Sequence, residues 1–279
     1  MEYIRPPAVA GSFYPSDPDE LSRLLDDCFF TNTLGPRGVK TASPSLVAGM
    51  VPHAGYAFSG ACAAHLYAHL DSSIQRVILL GINHWAQGHR AALSSWDAWQ
   101  TPLGNVPVDQ ELNNYFAERL SFLEKEKSAH SREHSIEVQL PFLQRTLGDF
   151  TIVPISLSSL SREESAELGA AIAEAVETSS NARAVILASS DLSHYLSPRE
   201  TEELDRMALE KVLALHPDGL SAVVEKANIT MCGVLPTTVM LFAVNRLGAK
   251  RSRLLKRCHS GDVQPMRKVV GYGSVAIEF

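Results

Sequence analysis

Three histidines in this chain each stand just beyond a short apolar run. Residues 46–51 (LVAGMV) lead into Pro52-His53, residues 76–82 (RVILLGI) into Asn83-His84, and residues 183–189 (RAVILAS) into Ser190-Asp191-Leu192-Ser193-His194. An imidazole ligates a metal through a bare ring nitrogen, or carries a proton near neutral pH. If the runs are neighbouring parallel strands, their loops meet at one sheet edge, where open α/β sheets bind ligands. Glycines at Gly55, Gly60 and Gly81 would let the backbone turn sharply there. Cys232, in Ile229-Thr230-Met231-Cys232-Gly233, precedes an apolar helix that starts near Leu235-Pro236. The positive end of a helix favours thiolate, and a bound metal ionises a thiol outright. A buried small apolar side chain is the other reading of the same residue.

Two further polar groups are candidates. His134 and Glu137, in Glu133-His134-Ser135-Ile136-Glu137, are three apart and share a helix face. They read either as partners that orient metal-bound imidazoles or as an acidic helix start. Asp191 and His194 are spaced as a carboxylate that orients an acid–base imidazole, or as a loop cap and a packed ring. His65 and His69 are i,i+4, but HLYAH lacks the glutamate of H-E-x-x-H. His89, His130, His216 and His259 stand in no such pattern.

The elements that must position these residues are legible as alternating runs. Residues 46–51, 76–82, 151–156, 183–189 and 269–277 are short, rich in Val and Ile, and mostly lack apolar/polar alternation, as strands covered on both faces do. Helical patterns lie between many of them, at 59–71, 108–121, 162–178, 201–215 and 234–247. Strand–helix alternation predicts an α/β fold, a single domain over 1–279 with a largely parallel, mixed central sheet flanked by helices. Residues 134–147 fit both a strand and a helix, and length favours the helix despite Pro141. Ser16-Asp17-Pro18-Asp19-Glu20 reads as a helix start, with Leu21, Leu24, Leu25 and Cys28 on one face. The stretch 31–45 reads as a mobile segment between that helix and the first core strand.

Composition narrows the class. The 279 residues are 45% hydrophobic and 20% charged, with a net charge of −6. That is ordinary for a globular chain and argues against a nucleic-acid footprint. The basic stretch 250–257 (KRSRLLKR) reads as the solvated flank of a late strand. No apolar run approaches a membrane span, and the N-terminus has no secretory pattern. The four cysteines are far apart, with no C-x-x-C, so a reduced cytoplasmic setting with free thiols is expected.

Taken together, RPPAVAGSFYP (5–15), VPHAGYAFSG (51–60), GINHWAQG (81–88), WQTPLGNVPVD (99–109), EHSIEVQLPFL (133–143), SSDLSHY (189–195) and MCG (231–233) resemble the Memo family. Its prokaryotic members are also called AmmeMemoRadiSam system protein B. The match covers essentially the whole chain. It implies a fold similar to class III extradiol dioxygenases, which are non-haem iron enzymes. It also implies that His53 and His84 are metal-binding histidines, that Cys232 is a metal-binding cysteine, and that Asp191 and His194 match the D-x-x-H of the family pocket. The ring-cleaving enzymes place a carboxylate where this set has a thiolate. A thiolate is softer and shifts preference toward copper or zinc, while imidazole suits iron, copper and zinc.

The expected centre is thus mononuclear iron or copper, with zinc as a further option, and the expected chemistry is redox chemistry with dioxygen or a reduced oxygen species. Tyr14, Tyr56, Trp85 and Tyr195 either line its pocket or pack. Glu133, His134 and Glu137 are its candidate second layer. A peptide- or partner-binding adaptor, including a partner of a radical-SAM protein, is the alternative, and a metal-dependent hydrolase a third. The substrate would be a small molecule or peptide.

Overall fold

The computed structural model describes residues 3–38, 42–178 and 182–279. Its strands are β1 (Ile4–Arg5), β2 (Leu46–Val51), β3 (Ile74–Ile82), β4 (Ala91–Ser94), β5 (Ala98–Thr101), β6 (Gly104–Pro107), β7 (Glu124–Glu126), β8 (Thr151–Leu157), β9 (Arg183–Ser189), β10 (His194–Leu196), β11 (Arg251–His259) and β12 (Val269–Glu278). Its α-helices are α1 (Pro18–Asp26), α2 (Tyr56–Tyr67), α3 (Gln110–Arg119), α4 (Ser128–Ser131), α5 (Leu140–Thr146), α6 (Arg162–Thr178), α7 (Pro198–Leu213), α8 (Pro217–Lys226), α9 (Val234–Arg246) and α10 (Ser260–Val263).

The main sheet has nine strands, in the order β10-β12-β2-β9-β3-β8-β4-β7, with β11 also paired to β12. Its centre, β2-β9-β3-β8, is parallel; β12 joins β2, and β4 joins β8, antiparallel. This is the mixed α/β architecture that the alternation implied. The central strands are buried on both faces, and their side chains divide with the two-residue strand period. Ile78 and Leu80 of β3 face a cluster with α3, α6, α7, α8 and α9, whereas Val77 and Leu79 face α1, α2 and α5.

Local signals set several elements. Asp17 caps α1, its carboxylate accepting from the Asp19 and Glu20 N–H groups, with Pro18 in the first turn. In the ambiguous 134–147 segment a 3-10 turn (Glu137–Gln139) leads into α5, where Pro141 sits in the first turn and removes no helical hydrogen bond. The basic stretch lies within strand β11 itself, where Arg251 and Arg253 pair with Glu278. Of the expected mobile segment, residues 39–41 lie outside the described residues.

The expectation of sharp glycine turns is corrected, because none of Gly55, Gly60 and Gly81 has a positive φ. Gly81 instead makes room: a Cβ there would stand 2.5 Å from Ile136 and 2.7 Å from Ser135 Oγ. The 135–136 segment can therefore lie directly against the end of β3.

Candidate metal centre

Parallel register brings the strand ends together. Val51 pairs with Ser189 and Ile82 with Leu157, so the loops after β2, β9 and β3 open at the same edge. His53 is two residues past β2, and His84 two past β3. Cys232 lies two residues before α9, and its loop reaches them through Gly233. A Cβ on Gly233 would stand 2.4 Å from the Ser189 carbonyl oxygen, so only glycine permits that approach. One donor atom each from His53, His84 and Cys232 falls within 4.8 Å of the others. His53 Nε2 is 3.2 Å from Cys232 Sγ. The two imidazole rings stand nearly perpendicular, at 84°, with centroids 5.2 Å apart.

The two histidines are held differently. His84 is 30% exposed at its side chain and bound to a carboxylate: Glu133 Oε1 is 2.9 Å from Nδ1, and Oε2 accepts the His84 backbone N–H at 2.7 Å. Glu133 Oε1 also accepts from the backbone N–H groups of His134 and Ser135. Burial pushes the Glu133 carboxyl up, but the hydrogen bonds and charges of His84, His134 and Ser135 outweigh it and hold it at about 2. An ionised Glu133 only accepts, so His84 Nδ1 carries a proton and, in the neutral ring, Nε2 is the bare nitrogen. His84, Glu133 and His134 also cluster closely enough to hold a cation. Their carboxylate is already filled by N–H donors, which makes Glu133 an orienting group for His84.

His53 is buried. Its Nδ1 meets Ser189 Oγ at 2.9 Å, and its backbone N–H donates to Asp191 at 2.8 Å. Burial, then the nearby His134 and His84, push its pKa well below the usual imidazole value. His134 stacks on His84 at 4.7 Å and touches Phe13 at 4.5 Å. Burial pushes it down to about 4, against the pull of Glu133.

The thiolate expected from the helix start is opposed by the surroundings of Cys232. Burial, then the Asp191 charge, push the Cys232 thiol far up. A helix terminus contributes ~0.3–1 kcal/mol, too little to offset the burial of an unpaired anion. The residue is half-buried and also at the site, so the two readings of the sequence are not exclusive.

Asp191 anchors the His53 main chain rather than orienting His194. Burial raises its carboxyl to about 6. His194 is oriented by Thr230 instead. Its Nδ1–H donates to the Thr230 carbonyl at 2.8 Å, and its backbone N–H to Thr230 Oγ1 at 2.7 Å.

The other predicted residues separate into two layers. Glu137 turns away from the imidazoles. It pairs with the fully buried Arg5 at 2.6 Å and accepts from Tyr14 Oη at 2.7 Å. Arg5 also donates to the Glu133 carbonyl at 2.7 Å. Tyr56 is buried, its hydroxyl on the Val138 carbonyl. Trp85 and Tyr195 are 49% and 69% exposed, and Tyr195 has a strained φ of +59°. Sequence reasoning missed Arg5, Ser135, Gln139, Ser189 and Thr230, because no spacing rule marks a lone Ser, Gln or Arg.

With this geometry established, comparison with known proteins is decisive. The family model described as Memo-like protein matches residues 5–276. The chain belongs to the Memo family. Memo relatives include the MEMO1 family proteins of Methanopyrus kandleri, 40% identical over 97% of this chain and 98% of that one, and of Ignicoccus hospitalis, 42% identical over 98% of each. The MEMO1 family protein of Methanosarcina acetivorans is 38% identical over 99% of each. The crystal structure of an uncharacterized protein from Escherichia coli K12 covers 83% of this Memo chain and 99% of its own at a TM-score of 0.57. At 14% identity that likeness shows the fold alone. Three of the stretches that carry the Memo resemblance, 51–60, 81–88 and 231–233, contain the three convergent donors.

Proposed function

We propose that this protein is a mononuclear metal centre for redox chemistry with dioxygen or a reduced oxygen species, with His53, His84 and Cys232 as ligands. The observation that carries the reading is the convergence of two imidazole nitrogens and one thiol sulfur within 4.8 Å. That donor set fits iron, copper or zinc, and three protein ligands leave positions open for reaction. When bound, iron or copper supplies electron exchange with oxygen species.

The remaining roles fall to the chain. Glu133 holds His84 in the ligating tautomer. Asp191 fixes the His53 main chain. His194, whose Nδ1–H is committed to Thr230, presents Nε2 as a proton acceptor and acts as acid–base group. The four free cysteines suit a reduced, cytoplasmic setting. Among the described residues no helix is long and apolar enough to cross a membrane.

The exposed Trp85 and Tyr195 favour one second reading, a surface that binds a peptide or a protein partner such as a radical-SAM protein. A redox-silent zinc would favour hydrolysis. Metal analysis of protein purified without added metal, combined with oxygen-consumption assays, tests the set. Iron or copper at one per chain with metal-dependent oxygen consumption is expected. Partner binding that survives His53→Ala with His84→Ala, with no turnover found, would replace the enzyme reading by the adaptor.

A further inference from the structure

Behind His53 lies a buried chain of uncharged polar side chains that the proposed chemistry does not use. Tyr67 Oη is 2.6 Å from Gln139 Oε1. Gln139 Nε2 is 2.8 Å from Ser189 Oγ, 3.1 Å from the Pro52 carbonyl and 3.4 Å from the Ser135 carbonyl. Ser189 Oγ is 2.6 Å from the Ser135 carbonyl and 2.9 Å from His53 Nδ1. All four side chains are buried, with no solvent to rescue a mismatched group.

The donor inventory gives this chain a direction. The Pro52 and Ser135 carbonyls only accept, so the Gln139 amide nitrogen must face them. Its oxygen then faces Tyr67, whose hydroxyl must donate. Ser189 has one proton, and its shortest contact is the Ser135 carbonyl. Were that proton given to His53, the Ser135 carbonyl would keep only the 3.4 Å contact from Gln139, and an under-served buried carbonyl is costly. Ser189 therefore donates to Ser135 and accepts from Gln139 and His53. The far ring nitrogen agrees: a bare Nε2 can accept from the Cys232 thiol 3.2 Å away.

We propose that Tyr67, Gln139 and Ser189 are positioning residues that hold His53 in its Nδ1–H tautomer, so that the Nε2 electron pair faces Cys232 and His84. The consequence for function rests on the metal-centre reading; the tautomer itself does not. In the wrong tautomer an N–H would point at the ligand position, and a metal would first have to displace that proton. The three side chains remove this cost before any metal arrives. They do so without burying a further charge.

The test uses the full-length protein, with 15N-labelled histidine and no metal. Long-range 15N–1H correlation reads which ring nitrogen of His53 is protonated. Wild type should show a protonated Nδ1 and a bare Nε2. Ser189→Ala should shift His53 toward the Nε2–H form and weaken Zn(II) binding by about 10–100-fold, the usual loss for a partner behind a ligand. Ser189→Thr, which keeps the hydroxyl, should restore both. Tyr67→Phe is the second variant if the added methyl disturbs folding, and should shift the tautomer partway by loosening Gln139. A protonated Nε2 in wild type, or a His53 tautomer unchanged in both Ser189→Ala and Tyr67→Phe, overturns the proposal. An Nδ1–H tautomer that responds to these variants in a protein that binds no Zn(II), copper or iron would support the positioning role and overturn the metal centre.

Discussion

The two imidazoles of the candidate centre stand 5.2 Å apart, yet their supports are opposites. His84, at the mouth, is held by an ionised carboxylate that main-chain N–H groups keep charged. His53, inside, is held by a hydroxyl backed by an amide and a phenol. The difference follows from the donors at hand. Glu133 is itself buried, and its carboxylate persists because several N–H donors offset desolvation, whereas behind His53 a neutral relay orients the ring without burying a charge. One centre thus uses charge where it can be stabilised and hydrogen-bond direction where it cannot.

The largest break in this comparison is to remove a ligand. His53→Ala, His84→Ala or Cys232→Ala should each lower metal affinity by more than the ~10–100-fold typical of partners behind ligands. His53→Ala and His84→Ala should also lower stability, each by about 1–3 kcal/mol, because each leaves a buried partner, Ser189 or Glu133, with an unmet contact. Equal metal content in wild type and Cys232→Ala would remove the thiol from the set. Denaturant melts of the apo proteins check the stability difference.

A third histidine belongs to neither support. His194 is held by the Thr230 carbonyl and falls outside the donor groups found among the described residues. His194→Ala should keep metal and fold while turnover drops ~10²–10⁴-fold. Loss of metal in step with activity would make His194 a ligand instead.

Next come the supports. Charge-assisted hydrogen bonds are roughly twice as strong as neutral ones. Glu133→Gln should therefore lower Zn(II) affinity toward the upper end of the ~10–100-fold range, and Ser189→Ala toward the lower end. Calorimetric titration of both variants measures this, and matching losses would erase the distinction drawn between charged and neutral support.

The effect farthest from the ligands concerns acid. His130 lies behind the charged support: Arg5 donates to the carbonyls of both His130 and Glu133. Burial, then the Arg5 charge, push the His130 imidazole from 6.5 down to about 3. Between those values the unfolded chain binds a proton that the folded chain refuses, so stability falls as pH falls through that window. The stability of wild type relative to His130→Gln should decline by about 1.4 kcal/mol per pH unit below 6.5. A difference that stays constant from pH 7 to pH 4 would show that His130 accepts its proton in the folded state.

Much of the fold was legible in local pattern. The run at 183–189 is strand β9 residue for residue, and 162–178 is α6, because apolar burial and helix-forming composition act over neighbouring residues. The strands of the three-stranded sheet β1-β5-β6 and edge strands such as β7 are two to four residues long, too short for periodicity to mark. The three ligand candidates were visible as well, since strand ends and a helix start place them.

Their supports could not be read this way. Glu133 lies 49 residues from His84, Ser189 lies 136 from His53, and Glu137 lies 132 from Arg5, whose partner it is instead of an imidazole. The sequence by itself determined which chemistry-bearing side chains stand at the sheet edge, because strand and helix formation are local. Only the tertiary structure decided which nitrogen carries each proton, that Thr230 rather than Asp191 orients His194, and that burial opposes the thiolate form of Cys232. Those outcomes depend on burial and on donor–acceptor accounting among groups distant along the chain, and neither exists until the chain has folded.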